Sequence, residues 1–295
     1  MKRTQRPPFK DILVVDDADT IRAMADHPDL DRRLEKHGPL NRFLLNRAVH
    51  SLSWKGHRFP GITPRDDKGR IALHEHAWEK FNANAPAMAA GPAELEEAAA
   101  WIRNGTPGRQ PGVLAQQIIG RFFNPTFHAT PESWKAALTL SEESNANRLK
   151  LTWGKLTGKY RRAKETLAST VNGDLLAMHG IGVAVHNLAL SIQHLRSFYL
   201  DEAIRKSLTP ELAVERSLMP PPVLLRQALA NGAANGCPFS KYTLILLRLR
   251  EANEKKANKA RDLLFMTDHW SRCPADQWIP AVIAGIWKRV MLPAT

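Results

Sequence analysis

The stretch from Asp174 to Tyr199 constrains this chain more than any other. Wound at 3.6 residues per turn, its apolar residues (Leu175, Leu176, Met178, Val183, Val185, Leu188, Leu190, Ile192, Leu195 and Phe198) fall on nearly every side. A helix that is apolar all round is stable only when other elements enclose it. At about 1.5 Å per residue it crosses most of a domain. Amphipathic helical patterns that can enclose it occur at 72–85, 93–103, 113–123, from Glu132 onward and at 149–170. Pro86 and the Gly91-Pro92 pair interrupt the first of these patterns. Lys10 to Val15 reads as a strand, and the acidic run Asp16-Asp17-Ala18-Asp19 caps the helix after it. Tyr242 to Leu247 reads as a late strand. No repeat, low-complexity tract or linker divides the chain. The expectation is one domain over residues 1–295, mainly α with a minor β component, behind a flexible basic N-terminus at 1–10.

Two cysteines, Cys237 and Cys273, are too few for a disulfide scaffold, and no CxxC pair offers a structural zinc site. No uninterrupted apolar run reaches the ~20 residues of a bilayer span. Ile12-Leu13-Val14-Val15 is too short for a signal sequence. These readings point to a soluble cytoplasmic protein without membrane contact. The net charge of +13 is concentrated at 1–10, 148–164 and 241–261. Solvated helix faces account for such runs, as does docking of an acidic partner. Nucleic acid is less favoured, because few aromatics interleave with the cations and no binding motif is present.

Chemistry centres on Cys273, in Phe265-Met266-Thr267-Asp268-His269-Trp270-Ser271-Arg272-Cys273-Pro274-Ala275. The helical run from Trp278 follows directly, and a thiolate near a helix N-terminus suits a soft or redox metal. A buried structural cysteine remains the alternative there, and for Cys237 it is the stronger reading. The histidines offer a rival. His179, His186 and His194 share roughly one face of the apolar helix but lie ~10 Å or more apart along its axis. One zinc with bonds of ~2 Å cannot bridge that distance.

The order of segments in the last third resembles the end of a cytochrome P450. A helix leads to the turn Met219-Pro220-Pro221-Pro222, then to Arg226, a strand near Thr243, and the cysteine loop with its helix. Arg272-Cys273-Pro274 with Trp278 five positions on is most similar to the fatty-acid peroxygenase branch (His-Arg-Cys-Pro-Gly-Glu-Trp). The match is best over 174–295. It implies a P450-like fold and haem ligated axially through iron by Cys273. It further implies a haem propionate on Arg226, room over the ring at Gly180 and Gly182, and Trp278 packed behind the loop. His74 and Trp78 would lie on the propionate-facing helix. The implied activity is monooxygenase or peroxygenase chemistry on a hydrophobic small molecule, with an acidic electron-transfer partner docking on 148–164 and 241–261. Several features depart from the family pattern. The Glu-x-x-Arg motif aligns as Glu215-x-x-Leu218, Asp268 and Ala275 stand where glycines are usual, and the apolar helix has no acid–Thr pair. They keep open a P450-derived helical protein that binds or scaffolds without haem.

Overall fold

The computed structural model describes all residues except 1, 7–9, 36–44, 47, 90–92, 106–109, 146–147, 256–260 and 293–295. The chain is mainly helical with small sheets. It groups into two compact units, one made of Met1–Glu75 and Pro220–Asp276, the other of His76–Met219 and Gln277–Thr295. Each unit draws on two separate stretches of chain, so no linker in the sequence marks a boundary.

The first unit is built on strands. β1 (Lys2–Arg6) and β2 (Lys10–Val15) form an antiparallel hairpin. β3 (Leu30–Asp31) lies at the opposite edge of the same sheet. β4 (Ser53–Trp54) and β5 (His57–Arg58) form a separate hairpin. From the second stretch come β6 (Leu224–Ala228), the small pair β7 (Gly232–Ala234) and β8 (Cys237–Phe239), and β9 (Leu244–Leu247). The five-stranded sheet has the order β1-β2-β9-β6-β3, and only the β2–β9 pair is parallel. Period-two alternation sends Leu13, Val15, Ile245 and Leu247 into one core, each without exposed surface. The helix Ala18–Ala25 closes that core, with Asp17 capping it by accepting the Thr20 N–H at 2.9 Å. Cys237 belongs to the same core, as a small apolar residue. The N-terminus departs from expectation: Lys2–Arg6 is ordered as a strand. Backbone pairing with β2 forms it, although its side chains carry no apolar alternation.

The second unit encloses the apolar helix, which runs unbroken from Leu175 to Leu200. Asp174 caps it, accepting the N–H groups of Leu176 and Ala177 at 2.8 and 3.0 Å. By length and composition this helix is apolar enough to cross a bilayer, which corrects the view that no such run exists. Sixty-one per cent of its most apolar window is buried inside the protein, as for a core helix. Gly180–Ala184 opens into a π-helical turn. Gln116, from the helix Pro111–Phe123, donates to the Ile181 carbonyl in that turn at 2.9 Å and to Ser133 O at 3.1 Å. Ser133 Oγ in turn donates to Gln116 Oε1 at 2.6 Å, so the buried amide is satisfied on both sides. Gly120 lets the ring of Phe127 lie against the same helix. The segment expected as one helix over 149–170 is two, Arg148–Leu156 and Lys159–Thr170, separated at Gly158 with φ 66°. The helix expected at 72–85 starts at Lys68, where Asp67 caps the Arg70 N–H, and continues past Pro86 to Ala89.

Candidate functional site

The cysteine loop, residues 265–276, belongs to the first unit. Cys273 N–H donates to Phe265 O at 2.8 Å and Arg272 N–H to His269 O at 2.9 Å, which curls the segment back on itself. Arg272 pairs with Asp276, and His74 Nε2 lies 2.7 Å from Arg272 O. In this loop the left-handed position falls on Met266, at φ 54°. Asp268 and Ala275 do not take positive φ.

The Cys273 side chain is exposed. Its thiol pKa is nevertheless pushed up to about 11, first by the surrounding protein, which disfavours the anion, and also by the Asp276 carboxylate. The Ala275 N–H, donated to sulfur, acts the other way and favours the thiolate. The sulfur is thus a neutral, accessible thiol that a metal cation would convert to thiolate.

Beside it in the sequence, Trp270 gathers four arginines. The guanidinium carbons of Arg226, Arg32, Arg70 and Arg65 lie 4.8, 4.9, 5.2 and 5.7 Å from the indole centroid. Trp270 is held by Nε1–H donation to Ala25 O at 2.9 Å. Next to it, His269 Nδ1 meets Asp26 at 2.6 Å. Arg226 projects from β6 with no exposed surface. Its Nη2 donates to Ser271 Oγ at 2.7 Å and its Nη1 to Leu225 O at 3.2 Å, while Nε makes no hydrogen bond. Burial brings its pKa down to about 10. Asp31 and Asp26 oppose that shift and Arg70 adds to it. Arg32, also buried, donates to Pro60 O at 3.2 Å and keeps an unsatisfied Nε. Burial, then Arg226 and Arg70, push its pKa well below the usual arginine value. Asp31, the buried carboxylate among them, is engaged with the backbone N–H groups of Arg32 and Arg65, at 2.6 and 2.9 Å, and with Arg33 Nε at 3.3 Å.

Buried guanidiniums without a carboxylate on their free donors are costly. They are matched by a ligand that brings its own carboxylates, since an arginine fork binds carboxylate through paired N–H donors. An accessible sulfur for iron and buried cations for two carboxylates are the donor set a haem needs. The residues of this unit therefore fit that group.

The expected site residues separate between the two units. Cys273 and Arg226 lie in the first, linked along the chain through Ser271. Gly180, Gly182 and Trp278 belong to the second. A Cβ on Gly180 would lie 2.9 Å from Phe123 and 3.1 Å from Ile119. One on Gly182 would lie 2.9 Å from Leu167 and 3.2 Å from Leu140. In those directions the two glycines make room for neighbouring helices rather than for a ring. Trp278 opens the helix Trp278–Met291, buried, with its ring 4.8 Å from that of Phe122. Leu218 is buried, and the end of its helix is tied to the apolar helix by hydrogen bonds: Ser217 O accepts from Ser191 Oγ at 3.1 Å and lies 3.2 Å from His194 Nδ1.

Arg32, Arg65, Arg70, Ser271 and Trp270 were not anticipated. The one signal for them was the i,i+4 spacing of Arg70 and His74, which puts both on one helix face. Among the described residues no group of His, Cys, Asp and Glu could hold a metal ion, so the three histidines of the apolar helix form no joint site. A surface hollow of about 380 Å³, lined by Phe123, Asn124, Pro125 and residues 171–174 with Ala177, belongs to the second unit and contains no residue of the cysteine loop.

No family model and no curated protein matches the sequence. Solved structures match over nearly the whole chain. The mycinamicin VIII C21 methyl hydroxylase of Micromonospora griseorubida is similar at 12% identity and TM-score 0.66, over 97% of this chain and 84% of its own. Cytochrome P450EX alpha, solved with myristic acid, matches at 11% identity and TM-score 0.63, over 95% and 80%. The haem domain of an Acinetobacter radioresistens P450 matches at 14% identity and TM-score 0.58, over 93% and 80%.

Proposed function

We propose that this chain, which has the cytochrome P450 fold, is a haem-thiolate oxidoreductase acting on a hydrophobic small molecule. The observation that carries the reading is the pairing of an accessible Cys273 sulfur with a fully buried Arg226 that reaches Ser271, two residues before it. Cys273 is the thiolate ligand, and the Ala275 N–H donated to its sulfur tunes the electron density the ligand offers. Arg226 and Arg32 hold the two carboxylates, and Trp270 fixes the plane on which both guanidiniums stack. Haem bound there would supply oxygen or peroxide activation, with the thiolate pushing electron density toward iron. In the monooxygenase form of this reading, an acidic electron-transfer protein docks on the basic segment 241–261, in a cytoplasmic setting.

Titration with haemin tests the reading. The expected result is one haem per chain, a Soret band of the thiolate type, and spin-state shifts on adding hydrophobic acids or macrolides. Loss of activity with rising salt in a reductase-coupled assay would identify electrostatic docking. The buried Leu218 and the neutral thiol favour one rival, a haem-free binding or scaffold protein on the same fold. A chain that takes up no haem under any loading condition supports that rival.

A further inference from the structure

The helix Arg148–Leu156 carries its largest apolar residues outward. Leu149 is 82% exposed, Trp153 71% and Leu156 78%. Positions i, i+4 and i+7 bring the three onto one face of the helix. The opposite face is the packed one: Leu151 is buried, and the absent side chain of Gly154 makes room for the Tyr160 ring. An amphipathic helix of a protein interior shows the reverse arrangement. The stripe is bordered by exposed Lys150 and Lys155, and the next helix adds exposed Arg162 together with Lys159 and Arg161, which pair with Glu142 and Glu165. Residues 148 to 164 hold seven basic side chains and no acidic one, with Lys164 among them buried, against Glu143.

We infer that this face is a peripheral docking surface for an anionic lipid bilayer, with Trp153 seated at the headgroup boundary. Apolar side chains at the centre of the face and cations at its flanks follow the layering of such a surface, hydrocarbon below anionic headgroups. A tryptophan with an apolar body and one N–H donor favours that boundary. A second copy of the chain does not suit the face, because it would oppose one cationic face with another. An acidic protein suits it poorly. Three side chains on a convex helix are far from the ~800 Å² per partner of a stable protein interface, whereas a fluid bilayer needs no matching contour. Docking of this kind brings the protein to the phase in which hydrophobic small molecules accumulate. The inference does not depend on haem.

Sedimentation of the full chain with vesicles tests it. The protein should pellet with vesicles of equal parts phosphatidylglycerol and phosphatidylcholine, release at high salt, and stay in solution with phosphatidylcholine alone. The double variant Leu149→Ser/Trp153→Ser should bind the anionic vesicles at least tenfold more weakly. Its circular dichroism and melting temperature should be unchanged, because both residues lie outside the packing. Trp153→Phe should keep most of the binding. Failure of the wild type to pellet with anionic vesicles overturns the inference, as does equal binding by the double variant. Self-association that the double variant abolishes, without vesicle binding, overturns it in favour of a second copy. Retention on an acidic protein without vesicle binding overturns it in favour of a protein partner.

Discussion

The surroundings of Trp270 and those of the π-turn in the apolar helix answer the same problem, buried polar groups, in opposite ways. Around Ile181, Gln116 and Ser133 satisfy the carbonyl that the widened turn leaves open, and every bond is made within the protein. Nearby, Lys164 and Glu143 form a buried pair at 3.6 Å. Around Trp270, four guanidiniums share one indole, while the buried Asp31 carboxylate is largely taken up by backbone N–H groups. Arg226 Nε and Arg32 Nε make no hydrogen bond. The Gln116, Ser133 and Ile181 bonds close on one another and serve stability. The arginine cluster leaves buried donors unmatched, which the carboxylates of the proposed ligand would satisfy.

Substitutions can break this contrast, and replacing Cys273 with alanine should have the largest effect. It should abolish the thiolate-type spectrum of the haem-loaded protein entirely. The exposed side chain contributes little packing, so stability should change by no more than about 0.5 kcal/mol. Arg226→Met should weaken haem retention about 10- to 100-fold, read by transfer of haem to apomyoglobin. The haem-free variant should melt no lower than wild type, because a fully buried charge whose Nε makes no hydrogen bond has been removed.

The second unit should respond in the reverse sense. Gly120→Ala drives a Cβ into the Phe127 ring and should cost about 1–3 kcal/mol by thermal unfolding. Gln116→Met should cost about 1–3 kcal/mol by stranding the Ile181 carbonyl. Neither variant should alter the haem spectrum. The smallest effect concerns pH. In the haem-free protein the Cys273 thiol is protonated more tightly than in the unfolded chain, so its contribution to stability is full below about pH 8.5. It fades as pH rises toward about 11, and iodoacetamide alkylation of Cys273 should accelerate across the same range.

The apolar helix was legible because its side chains fill every face at helical spacing, and Asp174 marks its start as a cap. Cys273 and Arg226 were singled out by the order of segments around them, and the structure places both in the first unit. The arginine cluster was not legible, because it is assembled by distant pairing. Asp31 lies opposite Gln227 in the β3–β6 register, which brings residues 32 and 226 close together across the two strands. A two-residue strand has no periodicity to betray it. Lys2–Arg6 escaped notice for a related reason: its pairing is a backbone property, and its charged sequence reads as a flexible tail. Gly180 and Gly182 were ambiguous in another way. Glycines inside an apolar helix are compatible with a ligand or with close packing, and only the positions of Phe123, Ile119, Leu167 and Leu140 distinguish the two. The outward stripe on Arg148–Leu156 was hidden because an amphipathic pattern does not say which face points inward.

The most direct test is the reduced, carbon-monoxide-bound spectrum of the haemin-loaded chain, recorded for wild type and for Cys273→Ala. A red-shifted Soret band of the thiolate type in the wild type, absent from the variant, is the predicted result. Identical spectra for the two, or no Soret band in the wild type, would contradict the assignment of Cys273 as the iron ligand.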